Sequence, residues 1–180
     1  ACPRCSGLGL LLEFDEPRIV PHPERSLKQG AIKPWEKRNQ AYYRQVLESL
    51  SRHFGFDLFE PYEKLPAGVR ELLMRGSGDE EVEFFYKKGK KKQTFRQPFE
   101  GVIPELERRL ARKRKDSTQE ADGVADELHR YMRERTCPDC GGARLRREAL
   151  HVLLDGRNIH EVSSMTISQA LATLGALALS

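Results

Sequence analysis

The sequence has no long apolar run, one tryptophan, three methionines and only four cysteines in 180 residues. No apolar segment approaches the roughly 18 residues that a membrane-spanning helix requires, which excludes a transmembrane helical protein. No signal-peptide pattern opens the chain. It begins Ala1-Cys2, without Met, and stops within Ala-Leu-Ala-Leu-Ser, as expected of a piece cut from a longer protein. Nucleotide-hydrolysis motifs are missing too: there is no Gly-x-x-x-x-Gly-Lys-Ser/Thr loop, no Leu-Ser-Gly-Gly and no apolar strand ending in a Walker B acid. No Gly-x-Ser-x-Gly elbow occurs, and no cysteine is left over to act as a nucleophile. The five histidines (His22, His53, His129, His151, His160) are scattered without metal-ligand spacing and read as surface or packing residues. No catalytic residue is expected.

Charge is plentiful. Charged residues make up 32% of the chain and apolar residues 38%, so a modest core under a large wetted surface is expected. The length suits one domain with a small appended module. The net charge of +4 is unevenly spread. Between Lys87 and Lys115 twelve basic residues (Lys87, Lys88, Lys90, Lys91, Lys92, Arg96, Arg108, Arg109, Arg112, Lys113, Arg114, Lys115) face three acids, giving +9. The other 19 basic and 24 acidic residues leave −5. One-sided charge of this kind is the footprint of a polyanion-binding surface.

The cysteines form two pairs, Cys2-Pro3-Arg4-Cys5 and Cys137-Pro138-Asp139-Cys140. Two thiolates at this spacing clasp one edge of a tetrahedral Zn²⁺, and two such knuckles complete a closed, structural Cys₄ site. Disulfides would need an oxidising compartment, and a redox Cys-x-x-Cys usually occurs singly beside a βαβ pattern that is missing here. The 131 residues between the pairs exceed what a zinc ribbon needs. A joint site therefore implies a subdomain inserted into one zinc module. Two ions, each completed by ligands outside this sequence, are the other arrangement.

Along the insert, Leu8–Phe14 reads as a strand and Asp15–Pro34, rich in Pro and breakers, as a long surface loop. Trp35–Phe54 carries Tyr43, Val46, Leu47, Leu50 and Phe54 at helical spacing, with Trp35 as a core anchor, and Pro66–Arg75 predicts a second helix stopped by Gly76. A hairpin follows: strand Glu81–Tyr86, turn Lys87–Lys91, return strand Lys92–Phe99. Its aromatics read as the apolar side of the hairpin and not as base-stacking platforms. Ile103, Leu106 and Leu110 mark a helix with a basic end. Ser117-Thr118-Gln119-Glu120 is a capping box for a further helix with a buried stripe of Val124, Leu128, Tyr131 and Met132, packed antiparallel to the one before. Asp155-Gly156 signals a tight hairpin, and Thr166-Ile167-Ser168-Gln169 caps a helix with Ile167, Ala170, Leu171 and Leu174 on one face. The fold class expected is α+β, helices on a small antiparallel sheet. The knuckles span 1–9 and 137–144, the insertion domain 10–136, and a partial following domain 145–180.

Cys2 to Gly9, and Cys137 to Ala149, resemble the UvrA family, the damage-sensing ATPases of bacterial nucleotide excision repair. Ser26 to Trp35, Gly76-Ser77-Gly78, Pro98 to Val102 and Ser164 to Ile167 agree with the same family in order, so the resemblance covers essentially the whole chain. It implies a zinc knuckle interrupted by a mobile insertion domain that grips double-stranded, damaged DNA, followed by the start of the signature domain. It also implies a bacterial cytoplasmic protein that forms a homodimer of ATPase heads and loads a partner subunit, UvrB, through a different region. This segment itself should lack ATPase activity. Cys2–Gly9 also fits Cys-x-x-Cys-x-Gly-x-Gly, the repeat of the DnaJ-type chaperone zinc domain, but that domain needs four close copies, and here Arg144 replaces a glycine in the second. The rival functional class is a zinc-stabilised protein-interaction module whose basic hairpin binds an acidic partner.

Overall fold

The computed structural model describes residues 1–36, 40–88, 91–115 and 126–177; for 86–88, 91–93 and 113–115 it describes the backbone. The chain divides into two compact units, one of Phe14–Arg133 and the other of Ala1–Glu13 with Glu134–Ser180.

In the larger unit, helical spacing turns Val46, Leu47 and Leu50 of α3 (Gln40–Phe54) inward. This face packs on β2 (Glu81–Lys88), which pairs antiparallel with β3 (Lys91–Pro98) from Glu81↔Pro98 to Lys88↔Lys91. Strand alternation buries Val82 and Phe84 and leaves Glu81 in water. Four-residue steps likewise bury Val102, Leu106 and Leu110 of α5 (Val102–Lys115). Ile19, Trp35, Tyr62, Leu73, Phe99, Leu128 and Met132 complete the core. α4 (Ala67–Arg75) meets α5 where Gly76 and Gly101, both at positive φ, press backbone on backbone. A Cβ on Gly76 would lie 2.5 Å from the Glu100 carbonyl oxygen, and one on Gly101 2.5 Å from the Gly76 nitrogen.

Three expectations are corrected. Asp15–Pro34 is not a surface loop: it holds α1 (Glu16–Ile19), a 3₁₀ turn at Leu27–Gln29 and the start of α2 (Lys33–Glu36). Ile19, Val20, Leu27, Ala31 and Ile32 are all buried. Its prolines mislead because Pro17 and Pro34 sit in first helical turns, where a missing N–H costs nothing. Ser26 and Gln29 form a reciprocal cap, with Ser26 N donating to Gln29 Oε1 at 3.0 Å and Gln29 N to Ser26 Oγ at 3.2 Å.

Next, the helix expected to run up to the second knuckle ends early. Residues 126–129 are helical, but Met132–Thr136 forms strand β4, paired with β1 (Leu10–Phe14). The strand's partner lies over a hundred residues upstream, which local periodicity cannot report. The capping box at Ser117, Val124 and the antiparallel packing expected of that helix lie outside the described residues. Finally, the hairpin strands extend through Lys87, Lys88 and Lys91, which were expected in the turn; Gly89 and Lys90 are outside the described residues.

In the smaller unit, β5 (Leu153–Leu154) and β6 (Arg157–Asn158) close over Asp155 and Gly156 at φ 51° and 74°, as a primed two-residue turn demands. α6 (Arg147–Leu150) and α7 (Ile159–Ser163) flank them. Thr166 caps α8 (Ile167–Gly175) through Gln169 in the expected box. The apolar face of α8 is uncovered, with Ile167 89% and Leu171 73% exposed. Helices with small antiparallel sheets make this an α+β fold, and no described helix is long and apolar enough to cross a membrane.

Candidate metal centre and nucleic-acid interface

The two cysteine pairs meet in the smaller unit. All four Sγ atoms lie within 4.8 Å of one another and all four residues are buried. Cys2 Sγ is 3.9 Å from Cys137 Sγ, and Cys5 Sγ 3.8 Å from Cys140 Sγ. A tetrahedral ion with metal–sulfur bonds near 2.3 Å sets its sulfurs about 3.8 Å apart. The spacing is far from the ~2.05 Å of a disulfide bond, and all four cysteines are free. These thiols are therefore placed to hold one metal ion.

Each knuckle is built by its own backbone. In the first, Leu8 N bonds the Cys5 carbonyl at 2.9 Å and Gly9 N donates to Cys5 Sγ at 3.2 Å. In the second, Gly141 N bonds the Cys137 carbonyl and Ala143 N the Cys140 carbonyl, both at 2.8 Å. Cross-bonds clamp the pair: Cys137 N to Gly9 O at 2.9 Å and Cys2 N to Arg144 O at 2.8 Å. Gly9 is needed at this crossing, because a Cβ there would lie 3.0 Å from both Gly142 O and Arg144 Cγ. Arg4 and Asp139 occupy the same place in the two knuckles and pair at 2.9 Å. Burial pushes the Cys5 thiol up, but amides donated by Gly9 and Gly7 and the neighbouring Cys2 and Cys140 sulfurs pull harder, and it settles at about 7. A thiol so tuned yields the thiolate a metal needs.

The basic residues are distributed over two elements of the larger unit. The backbone register sets Lys87 opposite Lys92 and Lys88 opposite Lys91, while Lys90 is outside the described residues. Like charges directly opposite each other destabilise a strand pair. Arg96 sits opposite Glu83 and pairs with it at 3.6 Å, its side chain 70% exposed. Arg108 is gripped by Glu100 through two bonds of 2.8 Å, from Nε and Nη2. Arg109 turns toward Glu105 at 4.0 Å and is mostly covered. Arg112 is exposed on α5, and Lys113, Arg114 and Lys115 form its last turn.

Two residues escaped the sequence reading. Glu105, mostly buried, accepts from Trp35 Nε1 at 2.9 Å and Tyr43 Oη at 2.5 Å. Trp35 stacks on Tyr43 with centroids 4.6 Å apart, and Phe99 meets Trp35 edge-on. These partners are 70 and 62 residues distant, so the only local signal was Arg109 one turn on. Arg52 of α3 lies over the Phe85 ring at 4.9 Å, which adds a cation beside the hairpin.

A buried four-thiol cluster able to hold a metal ion, built from the two chain segments on either side of an α+β unit that carries a basic hairpin, defines the class: paired cysteine knuckles interrupted by an α+β unit. The sequence matches the UvrA DNA-binding domain family over residues 15–121, and the chain belongs to that family. It is 43% identical over 171 residues to the UvrABC system protein A of Neisseria meningitidis, covering 94% of this chain and 17% of that protein. It is 41% identical over 180 residues to that of Haemophilus influenzae, covering 99% and 18%. The chain thus spans less than a fifth of the curated relatives it matches. In fold it is similar to UvrA2 from Deinococcus radiodurans, with a TM-score of 0.67, 23% identity, and 97% of this chain and 22% of that one covered.

Proposed function

We propose that the chain is the DNA-binding insertion region of a nucleotide excision repair protein, holding duplex DNA by its phosphates without reading sequence. One observation carries the reading: the family match encloses the entire basic stretch, Lys87 to Lys115. Phosphate contacts position a protein on DNA while base contacts specify, and a damage sensor must work in any sequence. The hairpin lysines are the principal contacts, with Arg96, Arg112 and the end of α5 contributing and Arg52 added from α3. Arg108 and Arg109 serve chiefly to hold Glu100 and Glu105.

The metal is Zn²⁺, in a closed four-thiolate site with a structural role. Held by Cys2, Cys5, Cys137 and Cys140, it fixes the two ends of the insertion domain (10–136), and 145–180 begins the next domain. In the longer protein this region serves a bacterial, cytoplasmic homodimeric ATPase that works with a UvrB subunit docked elsewhere; the segment itself carries binding and not hydrolysis.

Fluorescence anisotropy with two duplexes of unrelated sequence, across a salt series, tests this. Similar affinities that fall steeply with salt are expected, each phosphate contact contributing about 0.9 to the log–log slope. Salt-independent binding, or binding unaltered when Lys87, Lys88, Lys91 and Lys92 become Glu, contradicts the reading and favours an acidic protein partner.

A further inference from the structure

We propose that an aromatic cleft in the larger unit receives an unstacked nucleobase. The cleft, about 130 Å³, opens among α2, α3, the hairpin and α5 and is walled by Trp35, Tyr42, Tyr43, Phe84 and Phe99. Five of the chain's fourteen aromatic residues line this one opening. The volume admits a single flat ring system and no whole nucleotide. Base–aromatic stacking tolerates any sequence because every base has a π-face.

The polar groups at the cleft suit the edge of a base. Glu105 lies in the lining, and each of its oxygens accepts one bond, from Trp35 and Tyr43. Arg109 also approaches Oε1, at 4.0 Å, whereas Oε2 accepts only from Trp35 among the described residues. A carboxylate oxygen has capacity for a second bond, so Oε2 can take an exocyclic amino group. Arg108 and Gln97 also line the cleft. The two bonds to Glu100 use Nε and one N–H of Nη2, leaving three of the guanidinium's five N–H groups for base carbonyls. Gln97 follows Arg96 on β3, so the cleft belongs to the same hairpin that carries the phosphate-binding lysines. A base leaves the stack at least cost where pairing is already broken; a backbone-gripping domain with such a cleft favours disrupted duplex over intact duplex. The proposal rests on the DNA-binding reading above.

The test compares the intact 180-residue chain on a matched duplex and on the same duplex carrying one unpaired base. Preference for the unpaired base by about fivefold or more is expected, as stacking of one base supplies. Tyr42→Ala and, separately, Gln97→Ala should shrink that ratio, whereas Lys87→Glu should weaken both duplexes alike and preserve it. A photoactivatable halogenated uracil at the unpaired position should crosslink to Tyr42, Tyr43, Trp35 or Phe84. Equal affinity for the two duplexes, a preference that survives both cleft variants, or crosslinks confined to other residues overturns the cleft while leaving DNA binding intact. A chain that binds neither duplex overturns the DNA-binding reading, and this proposal with it.

Discussion

Glu105 fixes the arrangement of three elements with one side chain. Replacing it with Gln keeps the volume but supplies an NH₂ where Trp35 or Tyr43 needs an acceptor, stranding one buried donor. Glu105→Gln should cost about 1–3 kcal/mol, read as a lowered urea midpoint at constant slope. Gly76→Ala should do more harm, because positive φ and a backbone clash act together. A loss of about 3 kcal/mol is expected, or roughly 6–12 °C in melting temperature for a chain of this size. Burial raises the Tyr43 and Tyr62 hydroxyls well above the usual tyrosine range, and their bonds to Glu105 and Glu16 raise them further. Since the folded state holds these protons more tightly, that stabilisation is complete below about pH 10 and is lost as pH rises beyond it. Ultraviolet titration should show two tyrosines that ionise only as the chain unfolds, and one fewer in Tyr62→Phe.

At the scale of elements, what the sequence disclosed depended on how local each signal was. Leu50 and Leu106 repeat at helical spacing, and α3 and α5 follow; Asp155-Gly156 and the Thr166 box are local devices and formed as expected. β4 was misread because its partner is β1, far away in sequence. The buried segment from Asp15 to Pro34 was misread because its prolines begin helices instead of breaking the chain. The cysteine pairs were legible from spacing, though not their meeting at one place, while the Glu105 cluster left only Arg109, one turn on, as a local trace. The hairpin sets stability against binding. Lys87→Glu turns a like-charged pair with Lys92 into an opposite one, so the variant should be as stable as the parent or more so, by about 0.2–1 kcal/mol. Its affinity for duplex DNA should nevertheless fall. A drop in both would mean that Lys87 is structural.

For the whole molecule, the apolar core of the larger unit and the four-thiol site of the smaller one are separate sources of order. Leu106→Ala, in the core, should cost about 2–5 kcal/mol. Leu171→Ser on the uncovered face of α8 should stay within about 0.5 kcal/mol. Native mass spectrometry should find one zinc per chain, lost on substituting either Cys2 or Cys137 by Ser, since the two sulfurs share one site. Chelation should raise amide exchange first in 1–13 and 134–145.

Hydrogen–deuterium exchange of the intact chain with and without a short duplex tests the central claim most directly, because it locates the contact as well as detecting it. Protection is predicted over the hairpin, Glu81–Pro98, and over α5, Val102–Lys115, fading as salt is raised. Protection confined to 147–175, or absent from both the hairpin and α5 at saturating duplex, would contradict it.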